Sequence, residues 1–459
     1  MKTADRDRDL EPSLRGLTIE GLLATPWVTL AIPGNLFMAA LMTSVLGLSK
    51  SDYGIIVSLP AWFNALQLVI MPALERFFTL HRIMIWCGAL NTVVWMALVL
   101  ALPFLPVDNP SATFHILLAY FAFISLTQAL NAVSWTVWVQ GWVPGRVRGT
   151  YFGRRNGLLG MCTVGFLLVA GWIVSSFEGG LIGYQVILAV AGVMRMGSVW
   201  KLSRIRKGQG GSPRRKGDWL PPLRRMFAVT PFRWFVLFGA ALAFWLGFSG
   251  PFVPIFMAEF LGLSVGRQAV LLMLANLMAA TFLPVWGRLM DRHGCKPVII
   301  VSCVLWMVPN YAWAFLTRET AWILYFMWLW GGAVSGGVIL GLFSLLLKVV
   351  PKDMKSGAVS VNLMVTSVAA AFAPILGGLY FEASALFGLS TEMLFRVIFI
   401  VQPTMLCLSL WLLRPLEEPQ AGNYRTVLGA LRSWRTTFVG SGYFVLGNWV
   451  FSRPRRNRD

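Results

Sequence analysis

Lys207-Gly-Gln-Gly-Gly-Ser-Pro-Arg-Arg-Lys-Gly-Asp-Trp-Leu-Pro-Pro-Leu-Arg-Arg225 is the stretch on which the fold turns. Between Lys201 and Arg233 stand 10 Lys and Arg residues, spaced by Gly, Ser and Pro, so the segment neither enters hydrocarbon nor builds a core. It reads as a linker at a membrane surface, with a short interfacial helix near Leu223 to Phe227. On each side of it run six apolar stretches, each near the length of about 20 residues that a helix needs to cross the hydrocarbon layer. They lie near 25–47, 53–74, 83–104, 114–139, 156–177 and 181–201, then near 234–258, 268–286, 297–316, 321–347, 358–380 and 393–413. Their connections alternate in charge. On the linker's side fall 4 Lys and Arg in residues 1–24, 2 from Glu75 to Arg82 and 4 from Arg146 to Arg155. The same side holds 3 from Arg288 to Lys296, 3 from Lys348 to Lys355 and 8 after Trp411, whereas the other side has Lys50, Arg267 and Arg318. Basic loops stay cytoplasmic, so the pattern predicts an all-α membrane protein with twelve transmembrane helices and both termini inside.

Composition agrees, with 57% hydrophobic and 13% charged residues and a mean hydropathy of +0.68. The net charge of +20 sits almost wholly on one membrane face, where anionic lipid headgroups neutralise it, so nucleic acid is not an expected partner. The first residues, MKTADRDRDLEPSLRG, mix both signs and lack the short apolar core of a cleaved signal. Cys87, Cys162, Cys303 and Cys407 fall in apolar stretches and Cys295 in a loop, with no metal-site or disulfide spacing. The expected organisation is a six-helix bundle over 1–203, a basic linker over 204–233, a second bundle over 234–414 and a cytoplasmic or interfacial tail over 415–459.

The two halves share local features. Pro33-Gly34-Asn35 and Ser249-Gly250-Pro251 interrupt the first stretch of each half, 216 residues apart. Glu75-Arg76 and Asp291-Arg292 repeat that offset, and Val143-Pro144 is matched by Val350-Pro351 at 207. Six being even, such repeats run parallel about an axis along the membrane normal.

Gly287-Arg-Leu-Met-Asp291-Arg292-His-Gly294-Cys-Lys296 resembles the loop signature of the major facilitator superfamily, matching at Gly287, Asp291, Arg292, Gly294 and Lys296. Ala373-Pro374-Ile-Leu-Gly377-Gly378 is similar to another element common there, and Arg148 to Asn156 resembles a loop of a bacterial subgroup. The signature's usual place, after the second helix, retains only Glu75-Arg76. The resemblance spans roughly residues 20–415 and implies the major facilitator fold: twelve helices in two six-helix pseudo-repeats, with helices 1, 4, 7 and 10 lining a cavity. In the loop, Gly287 would admit a close helix neighbour, Asp291 would sit at a helix N-terminus, and Arg292 and Lys296 would offer charge partners. Together they would latch the cytoplasmic ends of the halves. The plainer reading is a solvated turn.

Paired Gly/Pro breaks point to a transporter's central site, so Asn35 and Ser249 are candidates. Gln128, Asn131 and Trp135, with Trp138 and Trp142, form one stripe of the fourth helix. That stripe either binds a solute or makes ordinary interhelical contacts. Asn64, Gln67 and Asn276 are further cavity candidates. Gly332, Gly336, Gly337 and Gly341 read as packing or hinge positions. No Asp or Glu falls inside a predicted span, which leaves proton coupling without a carrier. Arg195 and Arg396 are expected to snorkel. The tail from Tyr424 to Phe451 reads as interfacial.

No nucleotide loop, nucleophile elbow or metal cluster points to an enzyme, a cofactor or a metal site. The expectation is a secondary transporter of a small organic solute, with or without a coupling ion, monomeric and multi-pass in the bacterial inner membrane. The rival is a non-transporting membrane scaffold or assembly factor on the same fold.

Overall fold

The computed structural model describes residues 10–205, 230–350, 355–383, 388–416, 418, 422 and 424–432. Most of the linker and of the tail, including the expected interfacial helix near Leu223, lies outside the described residues. Every regular element among the described residues is helical, and eleven helices are long and apolar enough to cross a membrane. Spans 2 to 6 are Lys50–Glu75, Leu80–Ala101, Pro110–Trp142, Gly145–Ser176 and Leu181–Ser203. Spans 8 to 12 are Val265–His293, Cys295–Asn310, Ile323–Val349, Lys355–Glu382 and Thr391–Ser409.

The first span of each half is broken. Span 1 runs Leu10–Leu30, stops, and resumes as Leu36–Ala40 with a wide turn over Leu41–Val45. It therefore starts about four turns before the stretch near 25–47, because Leu10, Leu14, Leu17, Gly21 and Ala24 already lie along one helix face. Span 7 runs Thr230–Ser249, tightens over Gly250–Phe252 and continues as Val253–Glu259. Both breaks follow from proline, which removes a backbone donor and clashes with the preceding turn.

The repeat is visible in detail. Leu46-Gly47-Leu48-Ser49 ends span 1 and Leu261-Gly262-Leu263-Ser264 ends span 7. Gly47 and Gly262 have φ of 68° and 67°, a region that favours glycine. Ser49 and Ser264 then cap spans 2 and 8 by accepting from the N–H groups of Asp52 and Arg267.

The halves meet through spans 2 and 11 and through spans 5 and 8. At the end away from the basic loops, one hydrophobic cluster contains Trp27, Phe37 and Tyr53 from the first half and Phe252, Phe256, Phe381 and Phe395 from the second. At the basic end the clusters are separate. Leu17, Met84, Trp138 and Leu202 form one, and Phe235, Val298, Leu345 and Leu416 another. Leu66, Val69 and Phe77 on or just beyond span 2, and Val359, Leu363 and Met364 on span 11, are exposed there. Among the described residues the halves thus share one hydrophobic cluster at the far end and none at the basic end.

Candidate functional site

The paired breaks come together in the sealed end rather than in a cavity. The Tyr53 hydroxyl of span 2 lies 3.3 Å from the Pro33 carbonyl oxygen and 3.2 Å from that of Pro251, so one phenol serves both breaks. A Cβ on Gly34 would lie 3.7 Å from the Pro251 Cβ. Around this point backbones touch directly. A side chain at Gly54 would strike the Pro374 carbonyl, one at Gly378 the backbone of Lys50, and one at Gly171 the Ala269 side chain and Gly266. Lys50 pairs with Glu259 at 3.3 Å, and the Ser51 N–H donates to Glu382 at 3.0 Å.

Asn35 is a structural clip. Its side-chain oxygen accepts from the N–H groups of Phe37 and Met38 at 2.8 and 3.0 Å, capping the resumed helix. Its amide nitrogen donates to the carbonyls of Leu30 and Ile32, which the break left open. Nothing of the amide is left for a solute. Ser249 donates to Gln402 at 2.6 Å and so faces span 12 inside the second half.

The polar stripe of span 4 faces the interior of the first half. Asn131 donates to the Met84 carbonyl on span 3 at 2.8 Å. The Trp135 ring lies under the Arg155 guanidinium at 4.8 Å, so a cation already occupies one of its faces. Gln128 lies one turn away with its side-chain oxygen buried and without a partner among the described residues. The Gln67 oxygen on span 2 is likewise unpartnered, Asn64 is half-buried, and Asn276 is exposed with its amide on its own helix's Leu272 carbonyl.

A buried charged cluster completes this stripe. Glu20 on span 1 pairs with Arg155 on span 5 at 3.4 Å and accepts from Ser198 on span 6 at 3.2 Å. Arg195 donates to Ser198 at 3.4 Å, and its guanidinium lies 4.8 Å from the Trp27 ring. Relative exposures are 4% for Glu20, 8% for Arg155 and 4% for Arg195, so all three charges are out of solvent. Glu20, on the Leu10–Leu30 helix just ahead of the predicted stretch 25–47 and three residues after Leu17, puts a carboxylate in the bundle interior. One expectation is corrected. Arg195 does not snorkel, because Ser198, Trp27 and Glu20 hold it inside the bundle. Arg155 and Tyr151, one turn apart in the Arg148 to Asn156 run, both reach span 1, the tyrosine through the Leu14 carbonyl at 3.0 Å. Arg396 binds the Ala314 and Leu316 carbonyls and Glu392, tying span 12 to the end of span 9.

The signature loop is built within the second half. Gly294 has φ of 88°, so its glycine is demanded by the backbone. Lys296 donates to the Leu416 carbonyl at 2.6 Å, while Glu418 accepts from the N–H groups of Cys295 and Lys296 at 3.0 and 2.8 Å and from Lys348 at 2.9 Å. Asp291 and Arg292 are exposed, and a Cβ on Gly287 would meet only Leu340 at an ordinary 3.8 Å. Among the described residues, the close neighbour expected at Gly287 is not found. Gly332 and Gly337 do admit close contact, with Ala275 of span 8 and with Ser302 and Trp286.

Comparison with known proteins agrees with this architecture. The family model described as the Major Facilitator Superfamily matches residues 29–253 and again 234–457, and the chain belongs to that superfamily. It is 32% identical over 151 residues to the multi-drug resistance efflux pump PmrA of Streptococcus pneumoniae, covering 31% of this chain and 35% of that protein. It is 30% identical over 115 residues to the raffinose permease of Escherichia coli, covering 24% of this chain and 26% of that one. The chain thus matches about a third or less of the length of these curated relatives. Among solved structures, a bacterial homologue of the iron transporter ferroportin in its inward-facing state is similar, with a TM-score of 0.67 at 13% identity over 87% of this chain and 99% of that one. The outward-facing state of a bacterial ferroportin homologue gives 0.60 at 15% identity, over 88% and 99%.

Proposed function

We propose that this chain is a secondary transporter that moves a small organic solute across the bacterial inner membrane by alternating access. The carrying observation is the junction at Tyr53, where the breaks of both halves meet in a seal while the opposite ends stay apart. With the basic face and both termini in the cytoplasm, as the charge pattern directs, this is an inward-open state. The moving bodies are residues 1–203 and 234–414, tethered by 204–233. In the outward-open state the basic ends close, and Gly287, Asp291 and Arg292 gain their neighbour across the halves; Gly294 and Lys296 keep the loop in shape. A scaffold has no use for a seal at one end only. The two relatives, a drug efflux pump and a sugar permease, leave the solute unspecified, and the monomer is the working unit.

The test has two arms. Purified protein is screened for solutes that raise its melting temperature and for uptake of those solutes into liposomes. In parallel, cysteines replacing Ser212 and Pro454 are labelled in intact cells. No uptake of any stabilising solute, with no change in distances between the basic ends of spans 2 and 8, would favour the scaffold. Labelling from outside would overturn the orientation.

A further inference from the structure

We propose that the first bundle contains an anion site built on Arg195 and Trp27, which takes a small monovalent anionic group: the carboxylate of the transported solute, or a free anion such as chloride. The first source rests on the transport reading; the second does not.

The inference begins with charge. Two guanidinium groups, Arg155 and Arg195, share the single carboxylate of Glu20, and all three are at least nine-tenths buried. Arg155 takes Glu20 directly, whereas Arg195 reaches it only through the Ser198 hydroxyl. Among the described residues, one buried positive charge has no counter-charge in direct contact. An isolated ion in a low-dielectric interior is costly enough that compensation is expected.

Hydrogen bonding gives the same answer independently. The Arg195 Nε–H and the Trp27 indole N–H are both buried and both without an acceptor among the described residues. They belong to groups in contact, the guanidinium lying 4.8 Å from the indole ring. Buried donors are rarely left unpaired, so each of these donors calls for an acceptor, and an anion beside the excess positive charge would supply one.

Span 3 packs its bare backbone at Gly88 against this point, where a methyl would lie 3.2 Å from Val199, 3.3 Å from the Asn131 amide nitrogen and 3.5 Å from an Arg195 nitrogen. The surroundings are otherwise apolar and aromatic, with Trp95 edge-on to Trp27 at 5.7 Å. That suits a small, weakly hydrated anion or the head of an organic acid better than a divalent oxyanion.

The experiment is a thermal-shift titration of the purified full-length protein with sodium chloride, sodium acetate and sodium benzoate, at ionic strength held constant with sodium sulfate. The expected result is a saturable rise in melting temperature with at least one monovalent anion. Arg195→Gln should weaken the apparent affinity about ten- to hundredfold, as loss of a charged hydrogen bond does, and Trp27→Phe, which keeps the ring and deletes the donor, should weaken it less. Arg195→Lys should retain part of the response. Uptake of labelled benzoate or acetate into liposomes, competed by the unlabelled acid, identifies the solute's carboxylate. Saturation by chloride with no such uptake identifies a resident anion. No saturable response in the wild type, or the same response in folded Arg195→Gln and Trp27→Phe, overturns the site. Binding without transport of any solute would retire the transport reading alone; transport of a neutral solute with no anion response would retire the anion site alone.

Discussion

At the scale of single residues, the Glu20–Arg155 pair shows how a buried charge constrains its neighbours. Removing one member strands the other in the bundle, which costs about 3–5 kcal/mol in comparable buried pairs. Glu20→Ala and Arg155→Ala should each lower the melting temperature strongly, and a double Glu20→Gln, Arg155→Gln variant should recover much of the loss. Additive losses in the double variant, read by thermal unfolding in detergent, would show that the pair is not coupled. Glu418 gives a pH-dependent case. Burial pushes its carboxyl up, but the N–H groups of Cys295 and Lys296 together with Lys348 outweigh burial and hold it below the usual carboxylate range. A depressed carboxylate stabilises the fold above its unfolded pKa, and that contribution is lost as pH falls through the lower, folded value. The clip on span 9 should therefore hold at neutral pH and loosen in acid below about pH 4, the ordinary carboxylate range. Protection of the Cys295 and Lys296 amides, taken relative to their intrinsic exchange rates, should fall on acidification in the wild type. In Glu418→Gln it should be low already at pH 7 and nearly independent of pH. Equal pH profiles in the two proteins would dismiss the clip.

At the scale of elements, the far-end seal depends on backbones that touch because side chains are missing. Gly54 on span 2 lies against the Pro374 carbonyl of span 11, so Gly54→Val cannot be absorbed by a rotamer change. Span 2 and span 11 must separate there, and the populations should move towards the state open at the far end. Gly153 on span 5 has open space around its Cα, so Gly153→Ala is the matched control. Spin-label distances between Ser44 and Arg267 should lengthen in Gly54→Val and stay unchanged in the control; no lengthening would mean that the close approach does not hold the seal. The break in span 1 belongs to this scale too. Proline predicts the interruption, but its depth depends on how much helix precedes it, and the helix already runs at Leu10 rather than beginning near residue 25.

For the whole molecule, the seal is one side of a balance between two states. Tyr53 has one hydroxyl proton, shared between the Pro33 and Pro251 carbonyls, and only the Pro251 contact crosses the halves, worth about 0.5–1.5 kcal/mol. Tyr53→Phe should therefore shift the equilibrium towards far-end opening by about two- to tenfold, since about 1.4 kcal/mol is a factor of ten. Lys50–Glu259 is partly exposed, so Lys50→Ala should change the balance little. The same label pair reports both variants. A shift in Lys50→Ala larger than in Tyr53→Phe would move the seal's energy from the phenol to the ion pair.

The sequence by itself determined the class, the number of crossings and the doubling of the chain. Hydropathy and basic-loop bias act over whole segments, and their sum survives errors at single positions. The Leu-Gly-Leu-Ser repeat at 46–49 and 261–264 emerged only with the structure, although a positive φ and a serine cap are local demands. The facing of each polar residue was decided only in three dimensions. Asn35, Asn131, Trp135 and Ser249 all carry groups that a solute might use, yet each is spent on a neighbour that sequence spacing does not reveal. Glu20, Arg155 and Arg195 are separated by 135 and 40 residues along the chain (155 − 20 and 195 − 155), and only the packing of spans 1, 5 and 6 brings them together. In a bundle every helix has several polar-compatible faces, and which one looks inward depends on how its neighbours rotate to pack.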